Sequence, residues 1–150
     1  PAPPVPDHLS ADGKKLFLKG HEVFFREGHC VTCHQQDGKG LDPAFPPLYA
    51  SEWVSGDPDR LIKLTLHGLM GPFELHGKKY DGQVPMTPFG GLLQDDEIAA
   101  VLTYVRNRFD NKADAIQPAQ VTKVREATKD QKSFYMVEEL LKQHPMPEKK

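Results

Sequence analysis

The feature that most constrains this chain is a short string, Cys30-Val31-Thr32-Cys33-His34, which holds both of its cysteines. Two thiols separated by two residues, with an imidazole directly after, admit few chemistries. A thioredoxin-type pair needs a strand–helix–strand setting, and the flanking sequence shows no such alternation. A structural zinc site needs four Cys or His ligands. The remaining histidines (His8, His21, His29, His67, His76 and His144) form no pair at the usual zinc spacing. A disulfide across so small a loop gains little stability. Covalent attachment of haem fits the string directly. The thiols add across two vinyl groups on one porphyrin edge, and the two-residue gap lets one turn of backbone reach both. His34 then lies under the ring and can offer its imidazole to the iron.

A porphyrin in the core also accounts for the composition. A chain of 150 residues is long enough for one domain with a sizeable core. Yet only 38% of it is apolar and it has 14 prolines, against roughly 45–50% apolar and ~5% proline in ordinary domains. The missing apolar mass is read as one large non-protein occupant, so the apoprotein is expected to be largely unfolded. Pro1, Pro3, Pro4 and Pro6 stiffen a linker over residues 1–9, and most other prolines fall in loops that would wrap the cofactor. The net charge of −2 argues against a nucleic-acid partner. The longest apolar run, Ile98 to Leu102, is far short of the ~20 residues of a spanning helix, so no direct membrane span is expected. No signal peptide is visible, and an opening without Met reads as a processed chain or a piece of a larger protein.

Apolar periodicity predicts a first helix over Ser10–Gly28, with Leu16, Gly20, Val23 and Phe24 on one face. Gly20 inside a helix suggests a close crossing by another. Residues 37–55 are rich in Gly, Pro and Asp and read as irregular. Within them, Pro46-Pro47-Leu48 offers carbonyls that could accept the second N–H of a proximal imidazole; a plain loop proline is the alternative. Asp57-Pro58 starts a second helix reaching about Gly68, and a loop runs from Pro72 to Gly91. In that loop Met86 lies between Pro85 and Thr87-Pro88, an odd place for a core residue and a plausible source of a thioether ligand to iron. Met70, Met136 and Met146 read instead as packing, amphipathic-helix and frayed-end residues. A third helix is predicted over Gln94–Asp110, acidic at its start and basic at its end, with Tyr104 placed to meet Gly20 and Phe24. Residues 111–150 read as a helical appendage: Pro118–Thr128, then Ser133–Gln143 with Met136 apolar, then a frayed end from His144.

In this order, Gly20-x-x-x-Phe24, Cys30-x-x-Cys33-His34, Pro46-Pro47-Leu48, Met86 and an aromatic-bearing terminal helix, the chain resembles the class I c-type cytochromes over residues 10–110. The stretch from Tyr80 to Met86, with Gln94 to Ile98, is similar to the monohaem domains fused to bacterial redox enzymes such as dehydrogenases and copper nitrite reductases. The resemblance implies an all-α fold, three to four core helices around one covalent haem c, with 111–150 as a C-terminal helical extension outside it. It implies His34 and Met86 as axial ligands and the Pro46 carbonyl as acceptor for the His34 N–H. It makes Cys30 and Cys33 the attachment thiols and offers Trp53, Tyr80 and Arg60 as partners of the haem propionates. Thr87 departs from the Met-Pro-Pro-Phe form of the ligand loop.

The resemblance therefore implies a single-electron carrier, soluble or part of a larger oxidoreductase, and not an enzyme in its own right. It would work between a donor and an acceptor redox protein, in the periplasm or another exported location. The alternative is a haem sensor or peroxidase-like enzyme with a labile sixth position and His67 or His76 as a distal group.

Overall fold

The computed structural model describes residues 3–147. In chain order its elements are helices α1 (Ala11–Phe24), α2 (Cys30–His34), α3 (Glu52–Ser55) and α4 (Pro58–His67), strands β1 (Leu69–Met70), β2 (Phe73–Leu75) and β3 (Lys78–Tyr80), helices α5 (Asp95–Val105) and α6 (Pro118–Ala127), strand β4 (Tyr135–Met136) and helix α7 (Val137–Gln143). The fold is mostly helical, and its short strands sit at the edges of the helical core.

The Ser10 hydroxyl accepts the Gly13 N–H at 3.1 Å and so satisfies one unpaired donor at the start of α1. Phe17, Gly20, Val23 and Phe24 share a buried face. That face meets α5, where a Cβ at Gly20 would overlap the Ala100 carbonyl oxygen and lie 2.6 Å from Tyr104 Cβ. Only a residue without a side chain lets the two backbones approach so closely. The Tyr104 ring packs on Phe24 at 5.4 Å, as anticipated from the sequence, and also on Phe17 at 5.2 Å. A cross-tie closes the crossing, with the Arg26 guanidinium on Glu97 of α5.

Helix α4 begins as its sequence predicts. The Asp57 carboxylate accepts the N–H groups of Asp59 and Arg60 at 2.8 and 3.3 Å, and Pro58 takes the first helical position. Leu61, Ile62, Leu64, Thr65 and Leu66 turn inward, and Gly68, at φ +85°, ends the helix.

Several elements differ from the sequence reading. Helix α1 stops at Phe24 rather than Gly28. Helix α5 stops at Val105 rather than Asp110: the Asn107 N–H turns back to the Tyr104 carbonyl, and Phe109 and Asp110 follow at positive φ values of 58° and 61°. Arg106 is no dipole ornament. It is buried and donates to the carbonyls of Asp114, Val54 and Gly56, tying three segments together. The loop from Pro72 to Gly91 holds a β-hairpin, with Phe73 opposite Tyr80. Its turn places His76 and Gly77 at φ 55° and 73°, the double positive φ of a tight hairpin turn.

The tail also departs from expectation. Its second helix begins at Val137. Tyr135 and Met136 form instead a parallel strand pair with Leu69 and Met70, and Met136 is exposed. Ile116, Val121, Val124, Tyr135, Val137 and Leu140 are all buried against the rest of the chain. Each such side chain contributes roughly 1.5–3 kcal/mol on full burial, so the tail is an integral layer of the structure. His144 to Met146 are docked rather than frayed. His144 Nδ1 lies 2.9 Å from Asp57 Oδ2, and its carbonyl accepts from Arg60 at 3.0 Å. Residues 148–150 of the expected frayed end, and 1–2 of the linker, lie outside the described residues.

Candidate haem crevice

The helical turn of α2 brings Cys30, Cys33 and His34 to one wall of a deep crevice. One part of the crevice is lined by Leu61, Leu64, Phe73, Phe89, Val101 and Leu102, among others, and by Trp53. The other part is lined by Cys33, Ala44, Tyr80 and the segment from Gly82 to Thr87. Cys30, His34, Pro46 and Met86 belong to both parts, whose free volumes, open solvent included, are about 810 and 1530 Å³.

His34 is held in one orientation. Its Nδ1 lies 2.9 Å from the Pro46 carbonyl oxygen. A carbonyl can only accept, so Nδ1 carries the proton and the lone pair is left on Nε2. Burial pushes the His34 pKa down, against the opposing pull of that carbonyl. The ring therefore stays neutral, the form in which imidazole binds a metal. The Pro46 segment is itself fixed. The Leu48 N–H donates to Gly38 at 2.6 Å, and Asn111 donates to the Leu48 carbonyl and accepts from Ser51 N–H at 2.8 and 3.0 Å. Sequence reading missed Asn111, since a single polar residue past a helix end gives no signal.

Both thiols are disfavoured as thiolates. Burial pushes Cys30 up to about 12 and raises Cys33 as well. Such an environment suits neutral thioethers better than a redox-active pair or a thiolate metal site. Among the described residues no three His, Cys, Asp or Glu side chains cluster to hold a metal ion.

The proposed propionate partners separate. Trp53 lines the crevice, and its buried Nε1 has no hydrogen-bond partner among the described residues. Tyr80 also lines it, its ring stacked on Phe73 at 5.0 Å, but its hydroxyl turns toward Asp42 at 3.5 Å. Arg60 does not line the crevice. Its terminal nitrogens donate to the carbonyls of Glu52, His144 and Pro145, and it reaches the site only through Trp53, with its guanidinium carbon 5.3 Å from that ring. Its Nε is also buried without a partner. A buried N–H without an acceptor costs about 1–3 kcal/mol. Trp53 Nε1, on the crevice lining, marks a place where a bound group supplies an acceptor, as a propionate carboxylate does, whereas Arg60 Nε belongs to a residue off that lining. The apolar crevice, the neutral His34, the two protonated thiols and the orphaned Trp53 donor fit a covalent haem.

Neither distal histidine of the alternative reading lines the crevice. His67 Nε2 pairs with the Thr128 hydroxyl at 2.7 Å, and exposed His76 with the Ala50 carbonyl at 3.0 Å.

The comparisons agree with this site. The family model described as Cytochrome c matches residues 10–109. The chain belongs to the cytochrome c family. Membership implies covalently bound haem c, for which Cys30 and Cys33 fit the attachment motif, and haem-mediated electron transfer by this domain. It is 39% identical over 99 residues to cytochrome c-552 of Thermus thermophilus, a match covering 63% of this chain and 66% of the relative. It is 29% identical over 125 residues to the cytochrome c subunit of a quinone alcohol dehydrogenase of Gluconacetobacter polyoxogenes, covering 82% of this chain and 26% of that subunit. With the fructose dehydrogenase cytochrome subunit of Gluconobacter japonicus it shares 30% over 106 residues, covering 66% of this chain and 21% of the subunit. The chain thus spans somewhat under two thirds of the first relative and about a quarter of the two subunits. Among the described residues no helix is long and apolar enough to cross a membrane.

Proposed function

We propose that His34 Nε2 and the Met86 thioether fill both axial positions of the haem iron, so that the chain passes electrons without binding a substrate there. The observation that carries this reading is the pair of opposed constraints. The His34 imidazole is fixed by Pro46. The Met86 backbone is fixed by reciprocal hydrogen bonds with Leu69, at 2.9 and 3.2 Å. Both side chains line the same crevice. Bound haem c supplies a one-electron Fe(III)/Fe(II) couple. The residues set its poise: a thioether is a soft donor that favours Fe(II), and the apolar lining disfavours the extra charge of Fe(III).

Electrons enter and leave at the crevice edge near Cys33 and the loop before Met86. Val84, 46% exposed, lines this edge with Ala44, Gln83 and Thr32, and the Asp81 carboxylate lines it as well. A small rim of low charge suits brief docking over a small interface. Donor and acceptor are redox proteins. By likeness to the dehydrogenase cytochrome subunits, the chain is a soluble carrier or the cytochrome part of a larger bacterial oxidoreductase, in the periplasm or another exported compartment. Residues 10–110 are the haem domain and 1–9 its linker; 111–150 are a helical extension folded onto it.

Carbon monoxide tests the closed coordination. The reduced wild type should leave carbon monoxide unbound, and Met86→Ala should bind it rapidly. Rapid binding by the wild type would overturn the carrier reading and favour a sensor or peroxidase-like role.

A further inference from the structure

We infer that the C-terminal extension positions the sixth ligand: β4 and α6 grip the loop that carries Met86 at both its ends. The inference rests on Met86 being an iron ligand.

The entry side of the grip is a small backbone ladder. Leu69 exchanges hydrogen bonds with Met86 on one edge. On its other edge it pairs with Tyr135 of the extension, and the Tyr135 N–H donates to the Gly68 carbonyl at 3.1 Å. Leu69 is thus the middle rung between the tail and the ligand. Gly68 shows how tight this is. A Cβ there would overlap the Phe134 ring and lie 2.7 Å from the Met86 carbonyl oxygen, so both press on the same side of Gly68. One step further along, Gly82 packs directly on the Gly71 backbone, and Gly71 is flanked by Met136 and Val137. The segment from Gly68 to Gly71 is therefore clasped between the tail and the loop leading into Met86.

The exit side is held by one residue. Arg125 of α6 donates to the carbonyls of Gly90 and Leu93 at 2.7 and 3.1 Å, and its Nε is 2.6 Å from Asp95 Oδ1 at the start of α5. A planar guanidinium with three acceptors fixes direction as well as distance. None of Arg125, Phe134 or Tyr135 lies within the family-matched residues 10–109, nor does any line the crevice. They are positioning residues that act on Met86 through the backbone. A loop held at both ends keeps the thioether at the iron and slows its exchange for outside ligands.

The test uses the full-length haem protein in its oxidised form, with imidazole as the competing ligand and hydrogen exchange as a second readout. Phe134→Ala, Tyr135→Pro and Arg125→Met are compared with Tyr135→Phe, which keeps the N–H, and with Phe17→Leu, which loosens the buried α1–α5 crossing away from both grips. Phe134→Ala, Arg125→Met and Tyr135→Pro should bind imidazole at least about tenfold faster, and the Leu69 and Met86 amides should lose protection. Tyr135→Phe should behave as wild type, and Phe17→Leu should lower the melting temperature without speeding imidazole entry. If Tyr135→Pro does not fold, Phe134→Ala and Arg125→Met decide. Unchanged imidazole rates in those two, or an equal rise in Phe17→Leu, overturn the inference. Failure of Met86 as ligand looks different: the wild type would then lack the far-red Met–Fe(III) absorption band, and Met86→Ala would change nothing.

Discussion

At the scale of single residues, the site is a set of groups each left with one free valence. His34 spends its proton on Pro46 and keeps its Nε2 lone pair. Trp53 keeps a buried N–H with no acceptor among the described residues. If that N–H serves a propionate, Trp53→Phe removes a hydrogen bond to a charged acceptor, of the order of 1.5–3 kcal/mol. The carboxylate, less well compensated, then favours Fe(III). Trp53→Phe should fold normally and show a lower reduction potential in a potentiometric titration, and an unchanged potential would remove Trp53 from that role. The attachment motif was legible because two Cys and a His at that spacing serve few other purposes, and Met86 stood out by its place among prolines. Trp53 was legible as an aromatic of the right region, but Arg60 was misplaced. A buried arginine is drawn to whatever carbonyls the fold offers, and here those belong to His144 and Pro145, more than eighty positions away in sequence. Nothing local announces such a contact.

At the scale of elements, the α1–α5 crossing is where local pattern and long-range packing agree. Gly20→Ala would gain about 1 kcal/mol of helix propensity. The added methyl has no space beside the Ala100 carbonyl, and overpacking costs about 1–3 kcal/mol or more. The net effect should be a lower denaturant midpoint at unchanged m value; equal stability would refute so close an approach. The same crossing carries an acid-sensitive tie. The Gln94 N–H, and with it the Arg26 guanidinium, holds the Glu97 carboxyl below the usual carboxylate range. Its contribution is therefore complete above the unfolded value of about 4.3 and is lost as pH falls through the lower folded value. Glu97→Gln should be about 1 kcal/mol less stable at neutral pH, and its melting temperature should fall less steeply between about pH 5 and pH 3 than that of the wild type. Helices with capped starts and apolar stripes were readable. Their ends were not, because the chain leaves α5 at Arg106 and turns on through positive φ at Phe109 and Asp110, a path set by contacts far away in sequence. The hairpin was hidden for a related reason. His76-Gly77 makes a tight turn without the familiar Asn-Gly or Asp-Gly pair.

At the scale of the whole molecule, the low apolar content and the unexpected tail have one explanation. Much of the interior faces a crevice rather than other side chains, and the tail supplies a layer that the haem domain lacks. A Cys30→Ala/Cys33→Ala variant, unable to hold haem covalently, should lose much of its helical circular dichroism; full native helix content would contradict a core completed by the cofactor. The periodicity of residues 111–150 showed that they needed something to pack on. Sequence could not say whether this was the same chain or a partner, because burial of Val121 or Leu140 depends on contacts far away in sequence. All of this converges on a haem whose two axial positions are both taken. The most direct measurement is the far-red absorption of the oxidised, full-length protein beside that of Met86→Ala. A Met–Fe(III) charge-transfer band present in the wild type and absent in the variant is the predicted result. A wild type without the band, or a band that survives the substitution, would contradict it.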